Sequence, residues 1–389
     1  MATLVTHSIG PGKDYETAAA WESAQQRDLV GLDEKERALC DAFTDTIFLK
    51  IDGWITDFAA DQIVEMQPAV GAEHGGVWGA GYVLSVASGY SLDCRVSVKI
   101  SGLQVDCTTQ PPCYLIAASP ETMHLDSMLF RNVGAGIGAE NSYAGSNSNV
   151  TAVSTNCVYA GGYRAVGASN GTHTFINCLV DASKGAGQTG FQLGTSILIN
   201  CIAYGGTGSD YNSWTSLATS TNNTSMDGTA TSKSTGPNPI DNLSTVAGVN
   251  FVDWDNYEYQ VIPDSVLLSG ENRSQDFTHD IAGNPRPSTG AWYRGPYTVA
   301  SSPVGALLDT PTVTAIAQTT ATIGCSTDTA GGTLYWTVTE SATATAADIK
   351  AGTGVDSGNF VPGGTGPQTV GATGLTADTA YYHHWVQVT

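Results

Sequence analysis

A three-residue phrase recurs along this chain. It stands as Ile176-Asn177-Cys178 and Ile199-Asn200-Cys201, with the variant Thr155-Asn156-Cys157 before them. The three cysteines are 21 and 23 residues apart. Looser copies extend the register, with Val105-Asp106-Cys107 and Arg131-Asn132-Val133 upstream and Thr221-Asn222-Asn223 downstream. Between Cys107 and Asn223 the steps are 26, 24, 21, 23 and 22 residues. A repeat of this length is too small to bury an apolar face alone. Self-similarity with one β-rich phrase per copy therefore requires a stacked coil.

The phrases say which coil. Short β-branched or apolar runs occupy 100–105, 128–133, 153–158, 175–180 and 197–203, and none carries a helical period. Small residues fill the gaps, as in Gly185-Ala186-Gly187 and Gly205-Gly206-Thr207-Gly208. Short strands broken by turn residues, with no leucine lattice, predict a parallel β-helix of about three strands per turn. Asn132, Asn156, Asn177, Asn200 and Asn222 are expected to form an amide ladder at one bend. Cys107, Cys157, Cys178 and Cys201 are expected to stack as small buried thiols.

Two later stretches join these rungs, Phe251-Val252-Asp253 and Asp280-Ile281-Ala282-Gly283-Asn284-Pro285-Arg286-Pro287. Together they resemble the right-handed parallel β-helix proteins of the pectate-lyase-like class. The resemblance covers residues 40–298 and implies that 280–287 forms the last turn of the coil. It implies no single function, because this architecture hosts lyases, hydrolases, phage tailspikes and capsid-decorating proteins.

The ends read differently from the middle. Residues 1–45 are expected to form a helical cap, with a helix in the run Thr17-Ala18-Ala19-Ala20-Trp21-Glu22-Ser23-Ala24 and a second near 33–42. Such a cap would cover the open edge of the first rung. The coil is placed at 46–298 and a linker at 299–309. Residues 310–389 switch to longer alternating strands. There Gly374-Leu375-Thr376-Ala377-Asp378-Thr379-Ala380-Tyr381-Tyr382 resembles the corner of a fibronectin type III sandwich, whose final strand is missing from this reading. The expected fold class is thus all-β: a right-handed parallel β-helix with a short helical cap, followed by a fibronectin III-like sandwich.

Composition narrows the function. The 389 residues carry 15 basic and 36 acidic side chains, a net charge of −21, which disfavours nucleic acid and anionic membranes as partners. Only 13 % of residues are charged, so Ser, Thr, Asn and Gly must make up most of the surface, as in extracellular and virion β-structures. The first residues carry no basic and apolar leader, and no run of apolar residues is long enough to span a bilayer. Release by lysis, as a virion component, accounts for both; a mature form whose leader has been removed is the alternative.

Candidate chemistry is sparse. Between Arg131 and Ser220 the acids are Glu140, Asp181 and Asp210, and the bases are Arg131, Arg164 and Lys184. Asp181, Lys184 and Asp210 are the nearest approach to a sugar-cleaving set, and they are expected to be solvated loop residues. His173 is expected to be a turn histidine. Asp253-Trp254-Asp255 with Glu258 is the densest acid cluster, at a spacing that fits no calcium loop, and is expected to be a solvated turn. His383 and His384 should point to opposite faces of one strand. Cys107 and Cys113 flank Pro111-Pro112, where a bridge would close a small loop. No catalytic residue, metal ligand or cofactor is therefore expected.

What remains is a structural virion protein, foremost a capsid decoration (cement) protein. The alternative is a tail spike or fibre that binds or depolymerises host surface polysaccharide. The expected partners are the major capsid protein or tail proteins, further copies in a homotrimer, and a host glycan.

Overall fold

In the computed structural model the described residues are all except 1, 87–90, 108–112, 116–120, 133–142, 146–149, 163, 169–170, 185–188, 206, 213–214, 217–218, 234–235, 246–249, 263–264, 299–307, 328–332, 345 and 389. Two compact units are present, Met1–Val299 and Ala300–Thr389.

The first unit is a parallel β-helix. Each turn adds one strand to sheet I, one to sheet II and one to sheet III. These sheets hold nine, eight and seven described strands, all paired in parallel. Alternation within each strand sends every second side chain inward. Met123, Leu125, Phe175 and Leu198 come from sheet I, Phe130, Tyr159 and Val180 from sheet II, and Val166, Phe191 and Leu193 from sheet III. Equivalent aromatics meet down the axis. Phe130 stacks on Tyr159 at 5.0 Å and Phe191 on Tyr211 at 5.6 Å. Each fully buried side chain of this size contributes about 1.5–3 kcal/mol.

The recurring phrase forms the bend from sheet I to sheet II, and each residue of it does one thing. The asparagine takes the left-handed conformation at Asn156, Asn177, Asn200 and Asn222, with φ of 52°, 52°, 55° and 56°. Asparagine visits this region at little cost, which turns the chain in a single residue. The cysteine that follows points into the core, and Cys157, Cys178 and Cys201 are buried thiols. The isoleucine that precedes faces outward, because Phe175 and Leu198 hold the inward positions.

The upstream register differs from the sequence expectation. Bend residues before Asn156 are Gly81, Gly102 and Ser127, with φ of 72°, 65° and 52°. Asn132 and Cys107 instead pair with each other in the middle of sheet II, where Asn132 also registers with Gly161. Neither belongs to the bend. Gly161 is obligatory there, since a Cβ would lie 1.9 Å from the Asn132 carbonyl oxygen. The continuous amide ladder is also reduced. Asn200 Nδ2 donates to Asn177 Oδ1 at 3.1 Å and Asn238 Nδ2 to Asn222 Oδ1 at 3.2 Å, while the remaining amide groups bind a later segment.

The N-terminus holds less helix than its composition predicts. Helix α1 (Ala18–Gln25) forms, capped by Thr17 Oγ1 accepting from Ala20 N–H. It buries Ala18, Trp21 and Glu22, and Trp21 joins the core of the coil. Helix α2 is a single turn, Leu29–Leu32. No second helix covers 33–42, because Glu34–Cys40 alternates inward and outward and pairs with Thr3–Ile9 as the first two strands of sheet I. Glu36 faces inward at 0 % exposure. It accepts from Trp21 Nε1 at 2.7 Å and pairs with Arg27 at 2.8 Å, which satisfies the buried charge.

After the last coil, the described residues between 243 and 298 fold back as an arm over sheet II. Leu129, Val158, Leu179 and Ile202 form one outward column of that sheet, and the arm covers them with Phe251, Trp254, Tyr259, Leu267, Ile281 and Tyr297. Burial on both faces explains why strands such as Val158–Gly161 read as continuous apolar runs. The 280–287 phrase lies in this arm and not in a coil turn. Asp280 Oδ1 accepts from Ala282 and Asn284 N–H, and Arg286 Nη2 donates to Asn156 Oδ1 at 3.1 Å. The bend asparagines are thus docking points. Asn177 Nδ2 donates to the Tyr293 and Gly295 carbonyls, and Asn200 exchanges bonds with Glu271.

In the second unit, two three-stranded antiparallel sheets share one apolar cluster of Ile323, Trp336, Val338 and Ala372. Tyr381 Oη accepts from Thr376 N–H at 3.1 Å. The linker expected at 299–309 falls almost entirely outside the described residues.

Candidate functional site

The outer face of sheet II carries a second column, Asp106, Arg131, Ala160, Asp181 and Tyr204, in direct register. Asp106 and Arg131 form an ion pair. Beside this column a loop and the arm enclose a cleft of about 290 Å³, lined by Gly76, Val77, Trp78, residues 256–260 and Tyr297.

Local contacts hold both walls in place. One wall is the 69–81 loop between sheets I and II. His74 Nδ1 accepts from Gly76 N–H at 2.8 Å, which leaves Nε2 to donate to the Ser127 carbonyl at 2.7 Å. Burial depresses the His74 pKa, so the ring stays neutral and this arrangement persists. Gln104 ties the same loop down, accepting from Gly79 N–H and donating to the Val77 carbonyl. Gly76, at φ 77°, permits the close approach of Tyr297, whose ring would lie 2.8 Å from a Cβ there. Tyr297 Oη donates to the Gly76 carbonyl at 2.8 Å.

The other wall is the hairpin of Phe251–Asp253 and Glu258–Val261. Its turn places Tyr257 at φ 64°, a left-handed conformation that costs a residue with a Cβ about 1 kcal/mol. Asp253 steadies the turn by accepting from Asn256 Nδ2 at 2.6 Å. Tyr257 meets Trp78 edge to face at 5.9 Å, and the Arg131 guanidinium lies 5.0 Å from the Trp78 ring centroid. Burial raises the Tyr257 phenol pKa; Arg131 opposes this, while Asp181 and Asp106 add to it. Trp78 Nε1, Arg131 Nε and Asp106 Oδ1 are buried without a hydrogen-bond partner.

The cleft therefore has two aromatic walls and a polar rim of Asn256, Glu258 and Gln260. Aromatic faces with polar edges suit a ligand that alternates C–H faces and hydroxyls.

Other sequence candidates fall elsewhere. Asp181 is not a solvated loop residue. It is fully buried and accepts from Tyr259 Oη at 2.9 Å and from Ser183 N–H at 2.9 Å. Asp210 is also buried, at the far end of the coil, where it accepts from the N–H groups of Gly205, Met226 and Asp227. Desolvation raises its pKa to about 7, opposed by the Gly205 N–H and reinforced by Asp227. His173 lies buried in strand Thr172–Ile176, not in a turn. In the cluster 253–258, Asp253 braces the turn, Trp254 is buried, and Glu258 stands on the cleft rim. His383 and His384 do alternate: His383 Nδ1 accepts from Trp385 Nε1, and His384 faces Ser341. Glu140 and the side chains of Lys184 and Cys113 lie outside the described residues, and with Cys113 the proposed bridge to Cys107. The cleft drew no notice in the sequence because Trp78 and Tyr257 are far apart in the chain and only the fold-back of the arm joins them. The acid cluster around Trp254 was the nearest signal.

No family model matches the chain, and no curated protein does. Among solved structures the chain is similar to a crystal structure of pectate lyase Pel9A, with 13 % identity and a TM-score of 0.43 over 77 % of this chain and 97 % of that one. So distant a likeness carries nothing about activity, and the parallel β-helix rests on the strand pairing itself.

Proposed function

We propose that this protein is a non-catalytic, glycan-binding β-helix of a virion surface, spike-like in role. The observation that carries the reading is the Trp78–Tyr257 cleft with its polar rim. Binding is favoured over cleavage because the described lining holds one carboxylate, Glu258, whereas glycoside hydrolysis uses a facing pair. Capsid decoration draws on sequence features alone, the sparse carboxylates and an N-terminus without an evident tail-attachment domain, whereas the cleft supports glycan recognition.

The second unit fits the reading as a fibronectin III-like display module. Its strand order, with Leu308–Thr314, Ala321–Thr327 and Gly366–Ala372 in one sheet and Asp356–Phe360, Thr333–Thr339 and Tyr382–Val388 in the other, supports this. So does the bond to Tyr381 Oη across the turn. Self-association as a homotrimer through the coil flanks belongs to the same proposal. Light scattering at moderate salt would give a trimer mass, and a monomer mass well above micromolar concentration would remove that part.

Affinity electrophoresis through gels containing purified bacterial surface polysaccharides tests the function. At least one polysaccharide should retard the protein, without release of oligosaccharides on long incubation. Retardation by none would overturn the glycan reading, and released fragments would overturn the non-catalytic one.

A further inference from the structure

Resting on that glycan reading, we infer that the Trp78–Tyr257 cleft selects an uncharged sugar and turns away chains that carry uronate carboxylates. The lining contains no Lys, Arg or His among the described residues and does contain Glu258. Behind the cleft stand two further carboxylates: Asp181, which accepts from the lining Tyr259 Oη at 2.9 Å, and Asp106, which pairs with the Arg131 that lies over Trp78. The Arg131 guanidinium is already committed. Its Nη2 is bound to Asp106 and its plane lies over Trp78. An ion pair of this kind presents little net charge to a ligand, so the remaining field is that of Asp181 and Glu258. A uronate entering a partly desolvated cleft would meet like charge without a partner, and both effects disfavour its ionised form. The rest of the chain, at −21, adds repulsion in the same direction at low salt. An uncharged sugar escapes all three costs and keeps its apolar contact with the aromatic walls.

The test compares chains of the same sugar backbone that carry a carboxylate at C6 or an uncharged ester or hydroxymethyl group there. Oligogalacturonate is set against its fully methyl-esterified form, and oligomannuronate against mannan oligosaccharides, each titrated calorimetrically into the full chain at low and at moderate salt. The expected result is binding of an uncharged member at least about tenfold tighter than its anionic counterpart, with a gap that narrows in salt. Glu258→Gln, which removes the carboxylate of the cleft rim and keeps its size, should narrow the gap several-fold by raising the relative affinity for the anionic member. Anionic members that bind as tightly as the uncharged ones would overturn the inference and leave glycan binding standing. So would a gap untouched by Glu258→Gln. Failure of every probe of both classes, repeated with N-acetylchitohexaose and a dextran, would instead remove the glycan reading on which the inference rests.

Discussion

At the scale of single residues, the bend asparagines combine two roles that mutation can separate. Asn177 holds φ at 52° and donates to two arm carbonyls. Asn177→Gly keeps the conformation and loses the bonds. Asn177→Ala loses both, and is expected to cost roughly 2–3 kcal/mol, about 1 kcal/mol more than glycine. Chemical denaturation of both variants checks this, and equal losses would show that conformation contributes nothing. Asp210 offers a pH signature. Its folded pKa, about 7, lies above the 3.8 of an ordinary aspartate. The folded state therefore holds a proton that the unfolded state releases, so this group's stabilisation is full below about pH 4 and disappears as pH rises through 7. The wild type should lose more thermal stability between pH 5 and pH 7.5 than Asp210→Asn does. Identical slopes would contradict the buried, protonated carboxylate.

At the scale of elements, the arm is what turns a bare coil into a site. Two buried arginines fasten it. Arg294 Nη1 donates to the Asn223 carbonyl and Thr224 Oγ1, and its Nη2 donates to the Asn238 carbonyl. Arg286 reaches Asn156 and the Gly295 and Pro296 carbonyls while stacking on Trp292 at 5.0 Å. Desolvation pulls both arginine pKa values down to about 10, so both remain charged at neutral pH. Arg294→Met leaves the end carbonyls of the last coil unpaired and should cost roughly 3 kcal/mol. Hydrogen exchange would localise the loss, with faster exchange in 251–261 and 268–293 and little change in the strands near Met123 and Leu125. A uniform rise across the coil would contradict the clamp.

The coil was legible in the sequence because its asparagine and cysteine report a local requirement, one left-handed residue followed by one small inward side chain. The arm was not, because its partners are about 70 to 130 residues away in sequence, as Arg294–Asn223 and Arg286–Asn156 are. The upstream rungs misled for a related reason. Gly102 and Ser127 meet the same backbone requirement without the same letters, and Asn132 carries the letter without the conformation. The second expected helix failed because tertiary pairing with Thr3–Ile9 outweighs the local propensity of Glu34–Cys40.

At the scale of the whole molecule, a stack of sparsely charged rungs carries its chemistry where coil, loop and arm converge. The 69–81 loop supplies Trp78, the 253–257 turn of the arm supplies Tyr257, and the coil between supplies Arg131 and Asp106. The molecule's charge of −21 is spread thinly, so recognition by ring contact rather than by salt-dependent attraction is the consistent outcome. The most direct test is a calorimetric titration of wild type and Trp78→Ala, side by side, with the polysaccharide that retards the wild type most. The expected result is a loss of at least about tenfold in affinity for Trp78→Ala, in a chain that stays folded by circular dichroism, with the exposed Asn256→Ala giving a smaller loss in the same direction. Equal affinity of wild type and both variants would contradict the assignment of this cleft as the binding site.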